Sequence, residues 1–121
     1  QQWSERRREL AKAFDEQLQP KGFRTLKPRP KATPVYHLYV VEVSNRQQVM
    51  QALEAQGIGC GIHYPVPLNQ QPAFAKLNYK KGQFPISEKM AERIISLPFF
   101  PEMTVQQMQT AINSFLKVAR P

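Results

Sequence analysis

Gly57–Phe74 reads GIGCGIHYPVPLNQQPAF. Glycines at 57, 59 and 61 allow a bend and a close backbone approach after a helix. Pro65 and Pro67 then force an extended path, because each restricts its own φ and the residue before it. The imidazole of His63 and the phenol of Tyr64 therefore stand where a short strand, Ile58–Tyr64, becomes a stiff loop. Loops positioned by a scaffold often carry function. Two readings are open here: a hydrogen-bonded pair at the edge of a core, or a pair presented to a ligand.

Upstream, Val35–Val43 (VYHLYVVEV) is the strongest strand signal, β-branched and aromatic with little polarity. Alternation sends Tyr36, Leu38, Val40 and Glu42 to one face and Val35, His37, Tyr39, Val41 and Val43 to the other, which suits a central strand covered on both sides. Ser44 or Asn45 can cap a helix running to Gln56, with Val49, Met50 and Leu53 as its core stripe and Gly57 as its stop. At the start of the chain, Trp3–Gln19 carries Leu10, Phe14 and Leu18 at helical spacing, with Ser4 as a cap and Pro20 and Gly22 as the stop. Lys21–Pro34 is rich in proline and lysine and is expected to be an irregular connection.

Downstream, a turn of helix is expected over Gln71–Leu77 and a Gly/Lys turn over Asn78–Pro85. Ser87 can cap a helix to Ile95 that buries Met90, Ala91, Ile94 and Ile95. Ser96–Phe100 (SLPFF) reads as an edge strand, since Pro98 cannot serve in a central ladder. Thr104 with Gln107 makes a capping-box pattern for a last helix burying Val105, Met108, Ile112, Phe115, Leu116 and Ala119. The expected fold is α+β in two layers: a small three-stranded sheet, mostly antiparallel, packed with helices.

At 121 residues the chain has room for one modest core. No apolar run approaches the roughly 20 residues that cross a bilayer, and the single cysteine, Cys60, excludes an internal disulfide and fits a reducing compartment. A cytoplasmic protein is the expectation. The formal charge of +8 is concentrated in residues 1–34, where nine Lys/Arg face four Asp/Glu. Such an excess can track a nucleic-acid backbone, attract a substrate phosphate, or form a solvated face.

Tests for complete active-site chemistry come up short. Cys60 and His63 give half of a zinc site, but no second cysteine exists and only His37 remains as a nitrogen ligand. A Cys60/His63 nucleophilic pair lacks an orienting third group. The glycines do not form a dinucleotide fingerprint, because prolines stand where a phosphate-binding helix would start. Tyr36 and Tyr39 sit in too apolar a setting for nucleic-acid base stacking.

Two proline motifs in order carry a resemblance. G-I-x-x-x-x-H-Y-P-x-P-L over Gly57–Leu68, then F-P-x-x-E followed by S-L-P-x-x-P (Phe84, Pro85, Glu88, Ser96, Leu97, Pro98, Pro101), resemble the C-terminal small domain of DegT-type sugar-nucleotide aminotransferases, fold-type-I enzymes that use pyridoxal phosphate. Trp3, Arg7, Arg8 and Ala11 in the first helix and the VYHLYVV strand extend the match over nearly the whole chain. The resemblance implies a division into an interdomain helix (1–19), a connector (20–34) and an α/β core (35–121). It further implies that the cofactor and its Schiff-base lysine belong to a domain N-terminal to this one. No catalytic, cofactor-binding or metal-binding residue is then expected here, and the chain is expected to be inactive alone.

By the same resemblance, His63 and Tyr64 line the substrate side of the cleft and contact the sugar. Asn69 stands where many relatives carry another histidine, and is a third substrate-binding candidate. The intact enzyme is expected to be a homodimer that takes an amino group from glutamate and gives it to a keto sugar nucleotide. The alternative is a stand-alone basic module that binds nucleic acid or a protein partner. Charge-driven binding, however, has no need of the two proline motifs.

Overall fold

Leu10, Ala11, Phe14 and Leu18 make one stripe on the first helix, and burial of that stripe organises the molecule. The structure, a computed structural model, describes every residue from Gln1 to Pro121. The elements are α1 (Gln2–Leu18), β1 (Arg24–Thr25), β2 (Tyr39–Glu42), α2 (Arg46–Glu54), α3 (Pro85–Arg93), β3 (Ile94–Leu97) and α4 (Val105–Val118), with 3₁₀ turns at Gln19–Lys21, Leu68–Gln70 and Pro72–Leu77. The sheet is antiparallel in the order β1-β2-β3, with Arg24 opposite Glu42, Tyr39 opposite Leu97 and Val41 opposite Ile95. The α+β expectation holds.

Tyr39, Val41 and Val43 point to the same side of the sheet as Ile95 and Leu97. There they meet Phe14 and Leu18 of α1, Val49 and Leu53 of α2, and Met108, Ile112 and Phe115 of α4 in one core. Phe14 lies 4.7 Å from Tyr39 and 5.8 Å from Phe99 between ring centroids, while Phe23 packs at 5.0 Å on Phe115. The Tyr39 hydroxyl donates to Asp15 Oδ1 at 2.7 Å, so β2 is tied to α1 through a satisfied buried phenol. Burial first, and then the bond to Asp15, raise the pKa of that phenol well above the ordinary tyrosine value.

The opposite side of the sheet is built differently. Val40 and Glu42 of β2 and Ile94 and Ser96 of β3 face it by alternation. Glu42 is buried and paired: Arg93 Nε lies 2.7 Å from Oε1, in an ion pair without a well-aligned hydrogen bond, and Arg24 Nη1 lies 3.6 Å from Oε2. A small cavity of about 80 Å³ between Val40, Glu42, Ile94 and Met90 places α3 over this side. The joint between α3 and β3 is fastened by Arg46, whose Nη1 donates to the carbonyls of Ala91 and Ile94.

Several local expectations are corrected. The long strand shrinks to Tyr39–Glu42, because Tyr36 takes a left-handed φ of 45° and breaks the extended run. Ile58–Tyr64 keeps a single bridge, Gly61 with Ser96; the glycines weaken the run and Pro65 stops it. The third strand is instead β1, inside the segment expected to be irregular. Helix α1 starts at Gln2, which leaves Ser4 inside its first turn rather than at its cap.

Asn45 occupies the N-cap of α2, but its side chain serves the end of the chain, donating to Val118 O and accepting from Arg120 N. Pro85, pre-set for a first helical turn, starts α3 two residues before Ser87, so Ser87 is not the cap. The helix ends at Arg93, where the β-branched Ile94–Ile95 pair begins the strand earlier than SLPFF. The capping box at Thr104 and Gln107 is present as read. Val105 is 68% exposed, since it sits on the outer side of the first turn of α4.

Phe115→Ala is expected to cost about 3–5 kcal/mol and Val105→Ala to stay within about 0.5 kcal/mol, read from urea denaturation midpoints. Equal costs would contradict this packing.

Candidate functional site

The site grows from the outer edge of β3. Gly61 N donates to Ser96 O at 3.0 Å and Ser96 N donates to Gly61 O at 2.7 Å, so the glycine-rich segment is paired at one point only. Ser96 is buried, and its hydroxyl lies 2.9 Å from His63 Nδ1, within hydrogen-bond contact. The ring of His63 folds back over Gly61. A Cβ at position 61 would come within 2.9 Å of His63 Cε1, so any other residue there would displace the ring. Gly57 has a left-handed φ of 69° and ends α2, whereas Gly59 meets neither requirement. With Nδ1 engaged, Nε2 is the nitrogen of His63 left for a ligand.

Tyr64 continues from His63 across a cis peptide, with the two rings edge-to-face and their centroids 5.6 Å apart. Tyr64 is 69% exposed. From here to Phe84 the chain makes an open loop around an apolar groove of about 520 Å³, whose aromatic lining is Tyr64, Phe74, Tyr79 and Phe84, with Met90 and Ile94 from α3 and β3. Tyr79 and Phe84 close the far end edge-to-face at 5.1 Å. Asn69 also lines the groove, and its Nδ2 lies 3.4 Å from Glu88 Oε1. Tyr64 and Asn69 therefore share one groove, and His63 adjoins it on the Ser96 side.

In the sequence Glu88 stands out only as a motif letter, and Ser96 only as a motif letter at the start of a strand. Their signal was spacing: one lies on α3 and the other on β3, and both point back to the loop. Besides Asn69, the Glu88 carboxylate accepts from Gly82 N at 2.7 Å and Phe84 N at 3.3 Å. These bonds to its charged form, that from Gly82 foremost, hold its pKa below the usual carboxylate range.

Other candidates fall away. Cys60 packs against the core, and its thiol pKa is raised by burial and then by Glu54, which keeps it protonated. No three His, Cys, Asp or Glu side chains converge in metal-binding geometry. The basic first third is partly compensated: Arg6 pairs with Glu9, Lys12 with Glu16 and Arg24 with Glu42. No helix is long and apolar enough to cross a membrane.

The sequence matches the DegT/DnrJ/EryC1/StrS aminotransferase family over residues 1–116. Among individual relatives, a "pleiotropic regulatory protein" of Geobacillus stearothermophilus is 35% identical across 98% of this chain and 32% of its own length. The UDP-2-acetamido-2-deoxy-3-oxo-D-glucuronate aminotransferase of Pseudomonas aeruginosa is 36% identical across 78% of this chain and 26% of its own. The crystal structure of DesV from S. venezuelae, in complex with a ketimine intermediate, superposes with a TM-score of 0.88 at 31% identity, covering 95% of this chain and 31% of that one. The chain thus spans about a third or less of the length of these relatives.

Pyridoxal phosphate, the cofactor the resemblance implies, needs an amine for its aldehyde and a cation or amide cradle for its phosphate. Every lysine of this chain is exposed, and no lysine or arginine lines the groove. The groove lacks the amine and the cation that group needs, so its residues do not fit it.

Two outcomes are expected from the geometry. Gly61→Ala and Ser96→Ala each release the His63 ring, seen as a change in its imidazole ¹⁵N shifts, with strand amides unmoved; unaltered shifts would contradict the brace. In the wild type, the Glu88 carboxylate is charged and anchors the loop at any pH above its ordinary, unfolded-chain value. The anchoring is lost as pH falls through the lowered folded value, with the Gly82 amide resonance reporting the midpoint. A midpoint above the unfolded value would contradict it.

Proposed function

The chain belongs to the DegT/DnrJ/EryC1/StrS aminotransferase family, and we propose that residues 1–121 form the substrate-facing C-terminal small domain of a sugar-nucleotide aminotransferase. In this reading residues 1–19 join the two domains, 20–34 connect and 35–121 form the substrate-side core. The intact enzyme is a cytoplasmic homodimer that moves an amino group from glutamate to a keto sugar carried on a nucleotide. The observation that carries the reading is the braced His63–Tyr64 pair beside an aromatic groove. A sugar presents hydroxyls for hydrogen bonding and a C–H face for packing. His63 Nε2 and the Tyr64 hydroxyl suit the first need, and the Tyr64 ring suits the second. Asn69 adds an amide carbonyl, since its Nδ2 is turned to Glu88.

The work of this part of the enzyme is binding and orientation. Tyr64, Phe74 and Phe84 offer an apolar surface that a bound sugar would cover, so that its hydrogen bonds are made with fewer competing waters. When bound, pyridoxal phosphate supplies the amino-transfer chemistry. This reading assigns it to a separate part of the enzyme, with no step routed through residues of this chain.

In an enzyme of the relatives' length carrying these residues, His63→Ala and Tyr64→Phe are expected to lower kcat/KM for a keto sugar nucleotide by about 10–100-fold, the range of a lost hydrogen bond to a charged or buried partner. Unchanged values would refute the assignment. For the 121-residue chain, borohydride reduction with pyridoxal phosphate and peptide mapping is expected to label no single lysine stoichiometrically. One fully labelled lysine would mean that the chain holds its own cofactor site.

A further inference from the structure

No residue from Ile62 to Phe84 is buried, so the loop that carries Tyr64 and Asn69 has no core of its own. Its order must come from local turns and polar anchors. The turns are present: the 3₁₀ segments Leu68–Gln70 and Pro72–Leu77, the latter ended by Asn78 at a φ of 55°. Turns of this kind fix short stretches, yet they do not set where the loop lies relative to the sheet.

Glu88 is the side chain that reaches both arms of the loop. One arm is represented by Asn69 and the other by the backbone N–H groups of Gly82 and Phe84. The carboxylate is acceptor-only when ionised, with room for several donors on its two oxygens. Oε2 takes the Gly82 bond, and Oε1 takes those from Phe84 and Asn69. Glu88 lies in α3, which runs without an intervening loop into β3, and β3 carries Ser96 against His63. The start of the loop is thus held by Ser96 on the strand, and its middle and end by Glu88 on the helix.

Resting on the sugar-binding reading above, we propose that Glu88 is a positioning residue, which fixes the Tyr64–Phe84 loop on α3 and so sets the shape of the groove that Tyr64 and Asn69 present to the sugar. An amide in its place carries no charge and cannot offer two acceptor oxygens to the same three donors.

The test begins with the wild-type chain and no variant. Amide hydrogen exchange at exposed Gly82 is expected to be slower than at neighbouring Lys81 by about tenfold, the scale of one charge-assisted bond. Equal rates overturn the proposal. In Glu88→Gln, the Gly82 and Phe84 amide protons are expected to lose their hydrogen-bonded shifts, and the Tyr64 ring and Asn69 side-chain amide resonances to move. The β2–β3 amides should stay in place, which separates lost positioning from lost folding. Unmoved Tyr64 and Asn69 resonances overturn the proposal.

Titration with UDP-N-acetylglucosamine then links the two readings. The Gln variant is expected to bind about tenfold more weakly than wild type, and equal affinity overturns the role of Glu88 in recognition. Failure of the wild type to bind this nucleotide sugar or dTDP-glucose, with the amide results as expected, sinks the sugar-binding reading while leaving the loop-anchoring role of Glu88 in place.

Discussion

The pairing of Ser96 with Gly61 is the constraint on which the site depends. Its backbone half, two hydrogen bonds at 3.0 and 2.7 Å, brings the glycine-rich segment onto the edge of β3. Its side-chain half turns a buried hydroxyl to the imidazole two residues further on. Because Gly61 lacks a Cβ, the His63 ring can lie across its own backbone. One strand residue thereby fixes both where the loop starts and how its first functional side chain is turned. The strand is itself held from the other side by the three-helix core, through Ile95 and Leu97.

This arrangement divides the labour between the two sides of a small sheet. The helical side is apolar and closely packed, with Phe14, Leu18, Val41, Ile112 and Phe115 fully or almost fully buried. The other side carries the groups that need company: Glu42 between two arginines, Ser96 with His63, and Glu88 with the loop. Under the sugar-binding reading, polar anchors suit a loop that keeps its apolar side chains open to a ligand, because burial in a core of its own would remove them from use. Leu68 at 66% exposure and Ile86 at 79% illustrate how much apolar surface this side leaves uncovered.

Much of this was legible in the sequence. The spacing of Leu10, Phe14 and Leu18 gave the first helix, Thr104 with Gln107 gave a capping box, and the G-I…H-Y-P-x-P-L grammar marked the loop. What escaped were features that depend on partners distant in the chain. The two residues of β1 are too short a run to read as a strand, and they become one because Arg24 and Thr25 pair with Glu42 and Val41 of β2. Tyr36 breaks its strand by a backbone angle that no pattern of side chains announces. Asn45 stands at the N-cap position as read, but its side-chain amide is spent on Val118 and Arg120 rather than on the helix's own N–H groups. Within the site, His63, Tyr64 and Asn69 could be named as candidates. The roles of Ser96 and Glu88 could not, since an i-to-i+33 contact and a carboxylate shared between two turns are products of the fold.

The most direct test of the central claim, that the loop following Gly61 recognises the sugar of a nucleotide sugar, is photo-cross-linking. A nucleotide sugar bearing a diazirine on the sugar ring is irradiated with the chain, and the labelled peptides are mapped. Labelling is expected to concentrate between His63 and Phe84 and to be competed by unmodified nucleotide sugar. Labelling confined to the basic Lys21–Pro34 segment, or spread evenly without competition, would contradict it.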